Sequence, residues 1–149
     1  MTLTPATSER VRHAVGLAAI LDAAYEAFEE MLQILRAHED PASDLFLPVM
    51  VAAASAADGR DAIVFAPSLA PCQGNGAVVE DATQAGESAQ AAGHSAESAA
   101  DAVSGLARLL ATRLAQSADS AVDPGDRSAC CDAARCADEI YRLLRRSDP

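Results

Sequence analysis

The sequence predicts an all-α fold: an antiparallel bundle of four helices that run up-down-up-down around one core. Three observations support this. Alanine dominates the apolar residues, no stretch alternates apolar and polar side chains cleanly, and apolar residues recur at alternating steps of three and four. Alanine is the best helix former, and its small side chain favours helices that pack closely together. The 149 residues suffice for one core, so we expect a single domain spanning residues 1–149.

The first two predicted helices span about residues 8–38 and about residues 43–66. The first ends before Asp40-Pro41, because a residue that precedes proline is pushed out of the helical region. The second starts at a capping Ser43 and ends at Pro67. The core-facing heptad positions of the first helix are Val11, Ala14, Ala18, Leu21, Tyr25, Phe28, Leu32 and Leu35, and those of the second are Leu45, Val49, Ala52, Ala56, Gly59, Ile63 and Ala66.

Folding these two helices back on each other about Pro41 places large residues opposite small ones, as close packing requires. Asp22 and Arg60 then fall on facing flanks, and we predict an ion pair between them that contributes at most about 1 kcal/mol. The predicted neighbours are Leu21 and Gly59, Tyr25 and Ala56, Phe28 and Ala52, and Leu32 and Val49.

The third predicted helix is unusually long and rich in alanine, and it spans about residues 77–120. A helix of that length would exceed about 60 Å, longer than its partners, so we predict a kink or break between Gly86 and Asp101. The turn VDPGD follows at residues 122–126. The fourth predicted helix spans about residues 127–146. Its core positions are Cys130, Ala133, Ala137, Ile140 and Leu144.

The charge of the chain argues against several classes of partner. Twenty-two acidic residues face eleven cationic ones, all of them arginine, and the net charge is −11. Such a surface repels phosphate backbones and anionic lipid, so we expect neither nucleic-acid nor membrane binding. The longest apolar run, Leu45–Ala57, is too short to span a bilayer. Four cysteines and no secretory signal predict a reduced cytoplasmic protein, and the lysine-free, alanine-rich composition indicates a bacterial origin.

His94 lies at an outward position of the third predicted helix. The segment Ala92–Leu106 resembles the phosphoacceptor helix of histidine phosphotransfer domains, which are helical bundles with an exposed histidine. The resemblance implies a phosphoacceptor role for His94, and the alternative is an ordinary exposed helix residue. The segment departs from that family at Glu97 and Ser98, where such domains carry lysine and glycine. A carboxylate one turn from the histidine would repel a phosphoryl group.

The cysteines offer the only metal-site candidates, Cys130 and Cys136, because thiolates bind zinc and copper(I). With Cys131 they are spaced by one and five residues, so they do not share a helix face. A metal would therefore need thiols from two copies of the chain. Cys130 is otherwise expected to be a small core residue. No acidic residue occupies a core position, which disfavours a di-iron site. We expect no cofactor.

These patterns favour binding over catalysis, since no nucleophile motif or phosphate-binding loop is present. We expect a homodimeric interaction or scaffold protein in which a second copy covers the shallow alanine surface of the third helix. The acidic exterior suits a cationic protein partner. The alternative is a ligand- or metal-binding bundle with an apolar cavity in its first two helices. The residues that would line that cavity are Tyr25, Phe28, Ala56 and Gly59.

Overall fold

A computed structural model describes residues 2–69 and 95–145, and about 80% of these residues are helical with no strand among them. The predicted all-α class is confirmed. The predicted count of four helices is wrong, because the described residues form five. In chain order they are α1 (Pro5–His13), α2 (Leu17–Ala37), α3 (Phe46–Val64), α4 (Ala96–Ser120) and α5 (Pro124–Leu144).

The first predicted helix is two helices because the chain breaks at Gly16. Its backbone has φ +93°, a conformation that side-chain-bearing residues rarely adopt. The heptad pattern does not reveal this break, since Ala14 and Ala18 continue the apolar spacing across it. Neither alanine is buried in the structure. An unbroken heptad spacing in the sequence therefore does not require a continuous helix.

Helix α1 folds back along α2 and is also tied to α4. The backbone N–H of Thr4 donates to Glu30 Oε1 at 2.7 Å, which fixes the start of α1 against α2. At its other end, Arg113 Nε donates to the Val11 carbonyl at 3.2 Å, and the same guanidinium donates to the Ala14 carbonyl. Carbonyls at a helix C-terminus lack partners within the helix, so this arginine satisfies them from α4.

Helices α2 and α3 meet about one heptad away from the predicted register. Phe28 contacts Gly59, seven residues beyond its predicted neighbour Ala52, and a Cβ atom built on Gly59 would lie 2.5 Å from two carbons of the Phe28 ring. The connection between the helices also differs from the prediction. Ser43 is not the N-cap of α3, which is Leu45. It lies in a turn before the helix, where its carbonyl accepts a hydrogen bond from the N–H of Phe46 at 3.0 Å. The helix therefore starts later than the sequence predicts.

The core forms where these helices pack in pairs. Helix α3 lies against α2 and α5, α4 lies against α2 and α5, and α1 lies against α2 and α4. The junction of α3 and α5 is fixed by buried Asp126, which accepts hydrogen bonds from the Ser68 N–H at 2.8 Å and the Ser68 hydroxyl at 2.6 Å. The predicted core positions of α5 are confirmed as buried: Cys130, Ala133, Ala137, Ile140 and Leu144.

The long third helix of the prediction is described only in its second part. Helix α4 begins at Ala96, capped by Ser95, whose hydroxyl accepts from the Ser98 N–H at 3.1 Å. This start lies inside the interval where we predicted a kink or break. Residues 77–94 fall outside the described part of the chain. None of the described helices is both long and apolar enough to cross a membrane.

Candidate interaction surface

Helix α3 is apolar on nearly all sides, so only part of its apolar surface faces the core. Its inward residues, such as Val49 and Ala52, are buried against α2 and α5. Its outward residues include Leu47, Met50 and Val51, which are 63%, 41% and 40% exposed, respectively. With the exposed Ala54 they follow a helical spacing of three, four and seven and therefore form one stripe. We call Leu47, Met50, Val51 and Ala54 the α3 outer face.

The α3 outer face lies within a stretch that carries no charge. The run Leu45–Ala57 contains no acidic or basic residue, although the whole chain has a net charge of −11. Asp44 and Asp58 bound the run on either side. The other large, exposed apolar residues of the described chain lie at helix ends and in connections: Val15, Val64, Phe65 and Val122. The outer face is thus an apolar surface within an acidic exterior.

Arg60 on α3 does not pair with Asp22 as predicted. Its guanidinium donates to Glu29 Oε1 at 2.6 Å and to the neighbouring Asp61 at 3.0 Å. These bonds, Glu29 foremost, raise the pKa of Arg60 above its ordinary value. Asp22 lies 3.7 Å from Arg10 of α1 instead. The predicted pair is wrong because the register of α2 against α3 differs from the predicted one by about one heptad. Glu29, seven residues after Asp22, therefore lies beside Arg60 in its place.

The residues proposed to line a ligand cavity lie where α2 meets α3. Phe28 and Ala56 are fully buried, and the Phe28 ring fills the space that the missing side chain of Gly59 leaves. Tyr25 is half-buried and packs against the edge of the core. The structure therefore brings Phe28 and Gly59 into direct contact. Ligand binding by these four residues stays a prediction.

Two of the thiols of α5, Cys130 and Cys136, have a raised pKa. Cys130 is buried, and this burial raises the pKa of its thiol to about 11. The negative charges of Asp126 and Cys131 contribute to the same shift. Burial also raises the pKa of the half-buried Cys136, to which Asp58 adds. Because the thiolate is the metal-binding form, both shifts oppose metal binding. Within residues 2–69 and 95–145, no group of three or more His, Cys, Asp or Glu residues could hold a metal ion.

One residue singled out by the sequence, the proposed phosphoacceptor His94, lies outside the described part of the chain. The sequence reasoning, in turn, missed the α3 outer face. A signal for it was present, because the run Leu45–Ala57 holds more apolar residues than one buried face of a helix requires.

No protein-family model, curated protein or solved structure matches this chain. Its function is therefore inferred from the chemistry of its own surface.

Proposed function

We propose that this protein is a non-catalytic interaction domain that forms a homodimer through the α3 outer face. The observation that carries the proposal is an uncharged apolar stripe, exposed on one helix of a chain with net charge −11. Apolar surface gains about 25 cal/mol for each Å² removed from water. Contiguous exposed apolar patches of this kind mark protein interaction sites in soluble proteins.

The charge of the chain favours the α3 outer face as the place where two copies meet. Two molecules that each carry −11 repel each other wherever their carboxylates come close. The run Leu45–Ala57 brings no carboxylate to the centre of a contact. A dimer formed there buries apolar side chains and leaves Asp44 and Asp58 toward the rim, where water and salt reduce their repulsion.

The stripe is also complementary to itself in size. We place the twofold axis between Met50 and Val51, with the two α3 helices antiparallel. Met50 then lies against Val51 of the partner subunit, and Leu47 lies against Ala54 of the partner subunit. Large residues meet small ones on both sides of the axis, as close packing requires. One helix face is a small interface, so we expect a weak dimer with a dissociation constant of about 1 to 100 µM.

The variant Val51→Glu tests this proposal, because two copies of it would bring carboxylates together near the axis. We expect sedimentation equilibrium at about 300 µM to show a dimer for the wild type and a monomer for Val51→Glu. The matched control is Ala115→Glu, which adds the same carboxylate at an exposed position of α4. The control should dimerise as the wild type does, with an unchanged circular dichroism spectrum for all three proteins.

Two results for the variants would contradict the proposal. The first is a Val51→Glu protein that dimerises as well as the wild type, which would place any interface elsewhere. The second is an equal loss of dimer in Ala115→Glu, which would show that added negative charge alone is responsible. A wild type that is monomeric at every concentration would contradict the homodimer as well. Binding of a cationic protein partner by the acidic exterior would then remain as the prediction.

A further inference from the structure

Two arginines lie around one aromatic ring where α4 packs on the end of α5. The guanidinium carbon of Arg108 is 5.7 Å from the centroid of the Tyr141 ring, and that of Arg145 is 5.6 Å from it. Both distances are within the range of about 6 Å over which a ring attracts a cation. Tyr141 is half-buried and packed against the core, whereas both arginines are exposed. The half-buried ring thus lies between the core and two exposed cations.

Neither Arg108 nor Arg145 forms an ion pair with a carboxylate in the described part of the chain. Arg113 and Arg127 donate to backbone carbonyls instead. The positions one turn before and after Arg108 are uncharged: Ser104, Gly105, Ala111 and Thr112. The arginines that do pair with carboxylates are Arg10, Arg12, Arg60, Arg135 and Arg142. Arg108 and Arg145 thus bring two cations without paired carboxylates to the same aromatic ring.

We propose that Arg108 and Arg145 bind a dianionic phosphate group beside Tyr141. A guanidinium that stacks on a ring keeps the N–H groups at its edge free to donate to phosphate oxygens. One dianion neutralises both arginines, whereas a carboxylate neutralises only one of them. Asp138, one turn before Tyr141 on α5, is itself paired with Arg142 at 2.8 Å. At physiological ionic strength charges beyond about 8 Å are largely screened. This proposal does not depend on the dimer.

A nuclear magnetic resonance titration at constant ionic strength tests the site through the Nε–Hε signals of Arg108 and Arg145. We expect inorganic phosphate to give saturable shifts with a dissociation constant of about 1 mM. The variants Arg108→Met and Arg145→Met keep the side-chain stem and remove the charge. Each should weaken binding about tenfold, since each removes charge-assisted hydrogen bonds to the phosphate. The control Arg12→Met on α1 should bind as the wild type does.

Two further ligands, O-phosphoserine and acetate, show which chemical group the site recognises. O-phosphoserine that binds more tightly than inorganic phosphate would indicate a phosphate carried on an organic group, and equal binding would indicate that the free anion suffices. Both results agree with the proposal. Acetate should bind at least about tenfold more weakly, because it carries a single charge. Acetate that binds as well as phosphate, shifts that do not saturate, or methionine variants that bind as the wild type does would each overturn the proposal.

Discussion

At the residue scale, the contact between Phe28 and Gly59 determines how closely α2 and α3 approach. A Cβ atom on Gly59 would lie 2.5 Å from the Phe28 Cε1 and Cζ atoms, closer than carbon atoms pack. Phe28 is fully buried, so its ring has no open space into which it could move. The absence of a side chain at residue 59 is therefore what allows the ring to lie there.

We accordingly expect Gly59→Ala to lower the free energy of unfolding by about 1 to 2 kcal/mol, although alanine is the better helix former. The matched control is Gly105→Ala on the exposed side of α4, where a Cβ atom meets nothing within 4 Å. It should raise the free energy of unfolding by about 0.5 to 1 kcal/mol. Urea denaturation measures both. Changes of the same sign and size would contradict the close contact.

The buried thiol of Cys130 predicts a loss of stability at high pH. Burial raises its pKa from 9.0 to about 11, so the thiol ionises in the unfolded chain before it does so in the folded one. Its contribution to stability is complete below pH 9 and is lost as the pH rises towards 11. We expect the free energy of unfolding to fall by about 1 to 3 kcal/mol more in the wild type than in Cys130→Ala.

Urea denaturation at a series of pH values from 8 to 11 measures this difference, with Cys130→Ala as the reference for all other groups that titrate in the same range. Parallel curves for the two proteins would show that burial does not hold the Cys130 thiol neutral.

At the scale of the elements, α1 is the helix that depends most on contacts made by others. It has nine residues, and isolated helices of that length are marginal in water. Arg113 of α4 donates to the carbonyls of Val11 and Ala14, and Glu30 of α2 accepts from Thr4. We infer that these bonds, together with burial of Val11, keep α1 folded.

The variant Arg113→Met should lower the free energy of unfolding by about 1 to 3 kcal/mol, because it removes charge-assisted bonds to carbonyls that have no partner within the helix. Hydrogen exchange should accelerate in residues 5–13 while α3 stays protected. Arg135→Met is the control, since Arg135 is 77% exposed and pairs only with Asp132; it should change stability by less than about 0.5 kcal/mol. Unchanged protection of α1 in Arg113→Met would contradict this account.

The elements also show what the sequence can and cannot predict. Apolar periodicity located α3 and α5 and their buried positions, because each keeps one continuous buried face. It did not locate the break at Gly16, since the alanines on either side preserve the spacing. Nor did Pro41 fix the register of α2 and α3, because the fit of the Phe28 ring against Gly59 is a tertiary contact that local periodicity does not specify. The error in the partner of Arg60 followed from that register.

At the scale of the whole molecule, the candidate surface depends on which helices are neighbours. The sequence shows the apolar run Leu45–Ala57. It does not show that, among the described helices, α2 and α5 are the ones that pack extensively on α3. The sequence predicts the exposed apolar surface on the alanines of the third predicted helix. In its described part, Ala100, Ala107 and Ala118 are buried and Ala102 and Ala115 are exposed, whereas the larger exposed apolar side chains form a stripe on α3. Such long-range packing is not encoded in local periodicity.

The most direct test of the proposed homodimer is sedimentation equilibrium of the wild-type protein from about 1 µM to about 300 µM. The proposal predicts an average mass that rises reversibly with concentration from 15.3 kDa towards twice that value. A mass of 15.3 kDa at every concentration would contradict it.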